Sequence, residues 1–219
     1  MIPVISVVGS SDCGKTTLIE NLISELSKRG YKVGTIKHDV HGFDVDKEGK
    51  DTYRHKQAGA HSVLISSPWQ YALISDVDSE RRLDEVVSYM PIELDIILTE
   101  GFKSANKPKI EIFRKNHSTE LLCKNNPTLV AVATDDKTNK NLQDIKNLLD
   151  INNYKEVADF IEKHYIKKNN SNITLTVNGE KIKLNQFARD IVISTLKGLI
   201  SQLKGCENPK TIDIKIKEK

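Results

Sequence analysis

Aromatic residues make up only 5% of this 219-residue chain, cysteines number three, and no apolar run approaches the roughly 18 residues a membrane span needs. A transmembrane role is thereby excluded. Cys13, Cys123 and Cys206 lie far apart with no C-x-x-C pair, which argues against a zinc ribbon, a thiol redox motif or a disulfide framework. Charge of one sign is also lacking. With 33 basic residues against 30 acidic ones, the net of +3 is too small to suggest nucleic-acid binding. The N-terminus, MIPVISVVGSS, has no basic segment ahead of its short apolar run, so it reads as a buried strand and not a secretory signal. The cytoplasm is the expected compartment. There is no internal repeat and no low-complexity tract. The length suits one domain with a small appendage.

The charge that is present is unevenly placed. Residues 171–219 hold 9 of the basic and 5 of the acidic residues, leaving the first 170 nearly balanced. Pro3 to Val8 is β-branched or apolar except for Ser6, which fits a strand buried on both faces of a parallel sheet. Between Lys15 and Arg29, Leu18, Ile19, Leu22, Ile23 and Leu26 form one stripe at helical period, and Gly30 stands where a C-cap belongs. Further short strand-like runs fall at 31–36, 62–65, 71–74, 95–99, 109–113 and 128–133. Helical patterns around 50–57, 81–90 and 157–164 separate some of them. This alternation predicts an α/β layered domain with a mainly parallel sheet.

The polar stretch 164–172 is the best linker, and it places a main domain at 1–168 and an extension at 169–219. Within the extension, ITLTVNGEKIKL alternates around Asn178-Gly179, the dipeptide that a type I′ hairpin turn favours. A helical pattern up to Gly205 and an alternating TIDIKIK complete a predicted small ββαβ unit.

Chemistry enters at Gly9-Ser10-Ser11-Asp12-Cys13-Gly14-Lys15-Thr16, which matches G-x-x-x-x-G-K-[ST] between a predicted strand and a predicted helix. The glycines let the backbone wrap an anion, inward N–H groups and the helix dipole attract it, and Lys15 adds a point charge for the β- and γ-phosphates. The Thr16 hydroxyl suits Mg²⁺, a hard cation that keeps several waters. The metal needs a second acid on a neighbouring strand. Glu100 ends the run DIILTE at the carboxyl edge, where ligands bind in open α/β sheets, whereas Asp95 begins it at the other edge. Glu100 is therefore chosen. The loop from Lys37 through Asp46 leaves a second carboxyl edge and carries His38 and His41. With His55 these offer a possible metal site, though they lack the close Cys or Glu pairing that zinc sites show. Asp44, Asp46, Lys50, Asp51 and Arg54 form a charged patch beside it.

With these residues in view, the chain resembles the molybdopterin-guanine dinucleotide biosynthesis protein B family, a group of P-loop proteins. The matching segments are GSSDCGKTTLI, TIKHDVHGFDVDKEGKDTYRHKQAGA, ILTEGFK and PKIEIFR, which cover most of residues 1–134. The basic tail looks like an extension that only some members carry. The resemblance implies a P-loop NTPase three-layer sandwich. It also implies a weak GTPase that acts as an adapter in converting molybdopterin, or the molybdenum cofactor, to its guanine dinucleotide form. GTP and Mg²⁺ are its implied ligands, the pathway's nucleotidyltransferase its partner, and a homodimer its assembly. On this resemblance Gly9, Ser10, Ser11, Asp12, Cys13, Gly14, Lys15, Thr16 and Thr17 hold phosphates, and Thr16 and Glu100 hold Mg²⁺. Lys37, His38, Asp44, Asp46 and Arg54 are further site residues, with Lys15, Glu100 and His38 the candidate catalytic groups. Asp12 and Cys13 replace the small residues usual in that loop, and an inward carboxylate would repel phosphate, so Asp12 is expected to face out.

No N-K-x-D motif is present to read guanine. Asp135, directly after the strand at 128–133, is the better candidate, since a carboxylate can accept both N–H groups of guanine's edge. Two other functions compete. One is a small-molecule kinase with His38 or Asp39 as base and the 44–54 patch holding the acceptor. The other is a metallochaperone GTPase using the histidine-bearing loop.

Overall fold

The apolar run near the N-terminus becomes β1 (Val4–Val8), every residue of it buried, and the stripe that follows becomes α1 (Lys15–Lys28). A Schellman turn ends this helix: Gly30 N–H donates to Ser27 O at 2.9 Å and Tyr31 N–H to Leu26 O at 3.1 Å, with Gly30 at φ +89°. Next come β2 (Val33–Lys37), α2 (Asp51–Gln57), β3 (Ser62–Ser66), β4 (Tyr71–Ser75) and α3 (Leu83–Val87). The domain continues with β5 (Ile96–Glu100), β6 (Lys109–Phe113), β7 (Leu129–Thr134), β8 (Leu148–Asp150) and α4 (Tyr154–Tyr165). A hairpin of β9 (Leu175–Val177) and β10 (Glu180–Ile182) and a helix α5 (Gln186–Ile200) follow. The computed structural model describes residues 2–166, 173–182, 184, 186–207, 209 and 211–216.

Six strands form one sheet in the order β2-β5-β1-β6-β7-β8, and every pairing in it is parallel. The chain winds to one side of β1 first and to the other side afterwards, so the switch in strand order falls beside β1. In open α/β sheets that crevice, at the carboxyl ends, is where ligands bind.

The two faces of the sheet differ in chemistry. On one, Ile5, Val7, Ile96, Leu98, Ile110, Ile112, Ala131 and Ala133 pack with Leu18, Leu22 and Leu26 of α1 and Val157, Ala158 and Ile161 of α4. On the other, Val4, Ile36 and Ile97 meet Leu83 of α3, while Phe113 and Val132 meet Leu121 and Leu142. The fold is thus a three-layer α/β sandwich of the P-loop NTPase type. Alternation along the strands also places Ser6, Thr99, Lys109, Glu111 and Thr134 inside, all buried. Each is satisfied locally. Thr99 Oγ1 donates to Ser6 Oγ at 2.9 Å, and the Lys109 ammonium donates to Ala105 O, Lys107 O and Thr128 Oγ1. Glu111 accepts from the Leu122 and Cys123 N–H groups at 2.6 and 2.9 Å. Buried polar atoms without such partners would each cost about 1–3 kcal/mol. Lys109 thereby fastens the segments that lead into β6 and β7, and Glu111 fastens the connection between those strands.

Several expectations need correction. The runs at 62–65 and 71–74 do form strands, but they pair antiparallel only with each other and stand apart from the parallel sheet. The helical pattern at 81–90 yields five residues of helix, because Pro91 follows and the chain turns at Ser88–Met90. α4 begins at Tyr154, earlier than its apolar stripe suggests, since the Asn153 side chain accepts from Glu156 N–H and caps it. The short strand β8 is not evident in the sequence. In the extension, the Asn178-Gly179 turn has the two positive φ values expected of it, +53° and +87°. The last predicted strand does not form: residues 211–216 have no regular structure, so the unit is ββα among the described residues. Alternation without a pairing edge does not make a strand. The linker at 164–172 and the 168/169 boundary fall largely outside the described residues.

One polar cluster fastens α1, and the turn after it, to α4. Arg29 meets Glu25 at 2.9 Å, Glu162 at 2.6 Å and Asp159 at 2.7 Å, and Tyr31 Oη donates to Glu162 Oε1 at 2.7 Å. Burial first, and then the hydrogen bond to Glu162, push the Tyr31 phenol up to about 12. A raised native value means a contribution fully present below pH ~10 and lost as pH rises through 12. Tyr31→Phe is expected to lower the unfolding free energy by about 1 kcal/mol at pH 8. Urea titrations should show the two proteins converging between pH 10 and 12, and a gap that stays constant would contradict this account.

Candidate functional site: a phosphate loop at the centre of the sheet

The loop after β1 takes its shape from conformations that only certain residues adopt easily. Gly9 has φ +152°, and a Cβ there would lie 2.7 Å from Cys13 Sγ and 3.1 Å from Ile112 O. Gly14, the N-cap of α1, has φ +96°, and Asp12 has φ +56°. No side chain caps α1, so its first N–H groups are available to an anion. Asp12 is exposed, as the charge argument requires, while Cys13 is buried and fills the small-residue place beneath Gly9. Burial pushes its thiol pKa up, with Lys15 opposing. Ser10 Oγ is buried with no hydrogen-bond partner among the described residues, an oxygen that a phosphate would satisfy.

Lys15, in the first turn of α1, donates to Ser10 O at 2.6 Å and Gly9 O at 3.3 Å, which holds its ammonium over the loop. Thr16 Oγ1 lies 3.0 and 3.1 Å from the two Glu100 oxygens, a contact spanning 84 residues of sequence. Parallel register delivers Glu100 there, since it pairs with Val7 of β1 on one side and Lys37 of β2 on the other. A hydroxyl and a carboxylate at this position are hard oxygen donors, and two protein ligands with the remainder from water and phosphate is how Mg²⁺ is commonly held. Thr17 lies exposed one residue on.

His38 also reaches this edge, its N–H donating to Glu100 O at 3.1 Å. Its imidazole is engaged by other partners. Nε2 lies 2.9 Å from Glu80 Oε1, and the ring stacks on Phe102 at 4.6 Å between centroids. Lys37 is exposed at the end of β2. Asp46 is bound within its own loop, accepting from Thr52 Oγ1 at 3.0 Å and Lys47 N–H at 2.9 Å, and Arg54 lies 3.9 Å from Asp51. Asp44 is exposed. No hydrogen bond or ion pair links Asp44, Asp46 or Arg54 to the phosphate loop among the described residues.

On the other side of the loop the structure adds residues that sequence reasoning passed over. Arg114 Nε donates to Cys13 O at 3.0 Å, and its guanidinium lies 3.4 Å from where a Cβ on Gly14 would sit. His117 Nε2 approaches Ser11 O at 2.5 Å. Asp135 accepts from Lys115 N–H at 2.9 Å and lies 3.6 Å from Arg114 Nη1, so it joins this wall. The signal for Arg114 was its place one residue past a strand that pairs with β1. That cue has meaning only once strand order is known.

Residues 4–135 match the protein family described as molybdopterin guanine dinucleotide synthesis protein B. A molybdopterin-guanine dinucleotide biosynthesis adapter protein of Escherichia coli K12 is 39% identical over 174 residues, covering 77% of this chain and 97% of the relative. A Methanocaldococcus jannaschii relative is 30% identical and covers 97% of both chains, so that alignment reaches into the C-terminal extension. Among solved structures, the crystal structure of Bacillus subtilis MobB superposes with a TM-score of 0.58 at 27% identity, covering 76% of this chain and 99% of that one.

Proposed function

Because the chain belongs to the molybdopterin guanine dinucleotide synthesis protein B family, we propose that it is a GTP-binding adapter with weak GTPase activity. In this reading it assists conversion of molybdopterin, or the molybdenum cofactor, to the guanine dinucleotide form. It works in the cytoplasm with the pathway's guanylyl-transferring nucleotidyltransferase. The observation that carries the nucleotide part is the meeting of Thr16 with Glu100 beside a Gly9–Thr16 loop over which Lys15 is held. Mg²⁺, when bound between those oxygens, would neutralise phosphate charge. The chain's own part is to orient the phosphates through loop N–H groups and Lys15. Arg114 and Asp135 supply the base-side wall, with Asp135 reading guanine.

A homodimer is part of this proposal. The β3–β4 hairpin has no partner in the central sheet and exposes Leu64, Leu73 and Tyr71 on one of its faces, Leu64 opposite Leu73 and Tyr71 opposite Ser66 in register. Such a contiguous apolar set suits burial against a second copy. The kinase reading has less support, since the His38 ring already engages Glu80 and Phe102. The metallochaperone reading finds no group of three potential ligands among the described residues.

Calorimetric titration with GTP and ATP, each with Mg²⁺ and with a chelator, tests the proposal. GTP should bind at least about tenfold more tightly than ATP, a difference of roughly 1.4 kcal/mol, and should weaken when the metal is removed. Equal affinities would end the guanine assignment.

A further inference from the structure

A cavity of about 450 Å³ lies between the start of α3 and the loop that follows β5, bounded by residues 80–84 and by Phe102 and residues 104–107. We propose that it is a second ligand site, separate from the phosphate loop, for a planar heteroaromatic anion of pterin size. Phe102 is its ring platform and Arg82 its anion contact. The identity of the natural occupant, a pterin phosphate, rests on the reading above.

Size fits, since small-molecule sites commonly enclose about 300–1,000 Å³. The apolar side is built from Leu83, Phe102 and Ala105, which belong to the core cluster on this face of the sheet. The charged side is nearly spent on itself. Lys107 holds Asp84 at 2.6 Å, Glu80 meets His38 at 2.9 Å, and Arg81 lies 3.9 Å from Glu85. Arg82 gives its backbone N–H to Glu85 Oε2 at 2.8 Å, but no carboxylate lies within ion-pair distance of its guanidinium among the described residues. Asp84, the acid it influences electrostatically, is already taken by Lys107. Arg82 is therefore the cation of this lining that has no carboxylate at ion-pair distance among the described residues, and it stands beside an aromatic wall. That is the pairing a flat, negatively charged ligand needs.

Phe102 adds a second argument. It sits at φ +54°, a left-handed conformation that is a genuine outlier for a bulky residue. The strain is held by the stack on His38 and by the turn in which Ala105 N–H donates to Phe102 O at 3.0 Å. Strain of this kind concentrates at ligand clamps. Position agrees as well. Phe102 follows Glu100 by two residues on the β2–β5 side of the loop, whereas Arg114 and Asp135 stand on the β6–β7 side. Two ligands could thus be held next to each other, with Glu100 between them.

The test uses the full chain and the fluorescent probe pterin-6-carboxylate, with uncharged pterin and GTP as parallel ligands. Wild type and Lys15→Ala should bind the carboxylate equally, while Arg82→Glu should weaken it at least about tenfold and leave GTP affinity unchanged. Uncharged pterin should bind more weakly than the carboxylate. Arg82 is exposed, so matched thermal midpoints should confirm that the variant folds. The site is refuted if wild type shows no saturable binding, if Arg82→Glu binds as well as wild type, or if GTP displaces the probe one for one. GTP failing to bind wild type while the pterin results hold would instead refute the nucleotide reading and leave this site standing.

Discussion

Lys15→Ala should weaken GTP binding by about 100-fold or more, roughly 2.8 kcal/mol, while the protein stays folded. The ammonium is held directly over the loop, 2.6 Å from Ser10 O and 3.3 Å from Gly9 O. Charge-assisted bonds to phosphate are about twice as strong as neutral ones, and no neighbour replaces them, because Arg114 is turned to Cys13 O and Asp135. The structural cost is small. Lys15 is half-buried and contributes no apolar packing to the core, so losing two bonds to backbone carbonyls should cost only about 1 kcal/mol. Calorimetry gives the affinity and a melting curve gives the fold. Tight binding retained in the variant would remove the loop from its assigned role.

Glu111→Ala should have the opposite signature, a large loss of stability with a lesser loss of binding. The carboxylate is 1% exposed and accepts the N–H groups of Leu122 and Cys123. Truncation orphans both donors and leaves a cavity, for a total of about 3–5 kcal/mol, or roughly 10 °C in melting temperature for a chain of this size. The loop it holds also carries His117 against Ser11, so GTP affinity should fall less than about tenfold. Burial pushes the Glu111 pKa up despite its two hydrogen bonds. A raised native value contributes stability below the ordinary carboxylate range and loses it as pH rises. The gap between wild type and variant should therefore be wider near pH 4.5 than at pH 8. A melting-temperature difference below about 3 °C would show that the loop is held by other means.

These two residues also mark how far the sequence could be read. The setting of Lys15 was legible because it is local: the loop, the strand before it and the helix after it are contiguous, and their patterns agree. Glu100 was legible from its place at the end of an apolar run. Glu111 and Lys109 were not assigned a role, because an alternating KIEIF suggests a strand with one wet face, and only the second layer of packing reveals that both faces are buried. Arg114 and His117 depend on β6 lying beside β1, which is a fact of strand order. The hairpin of β3 and β4 was visible as two strands but not as a separate sheet, since short apolar runs do not disclose their partners. The alternating TIDIKIK was misread for the same reason. His38 was correctly placed at the edge, yet the direction of its ring depends on Glu80 and Phe102, which lie far from it in sequence.

The alternation of Lys109 and Glu111 with Ile110 and Ile112 constrains β6 in another way. If that strand slipped by one residue against its neighbours, two ionic groups would be driven into the hydrocarbon layer under α1 and α4, and two isoleucines would leave it. Misalignment would then cost several kcal/mol per displaced ion. The inward charges act as alignment keys, penalising the wrong pairing more severely than they reward the right one.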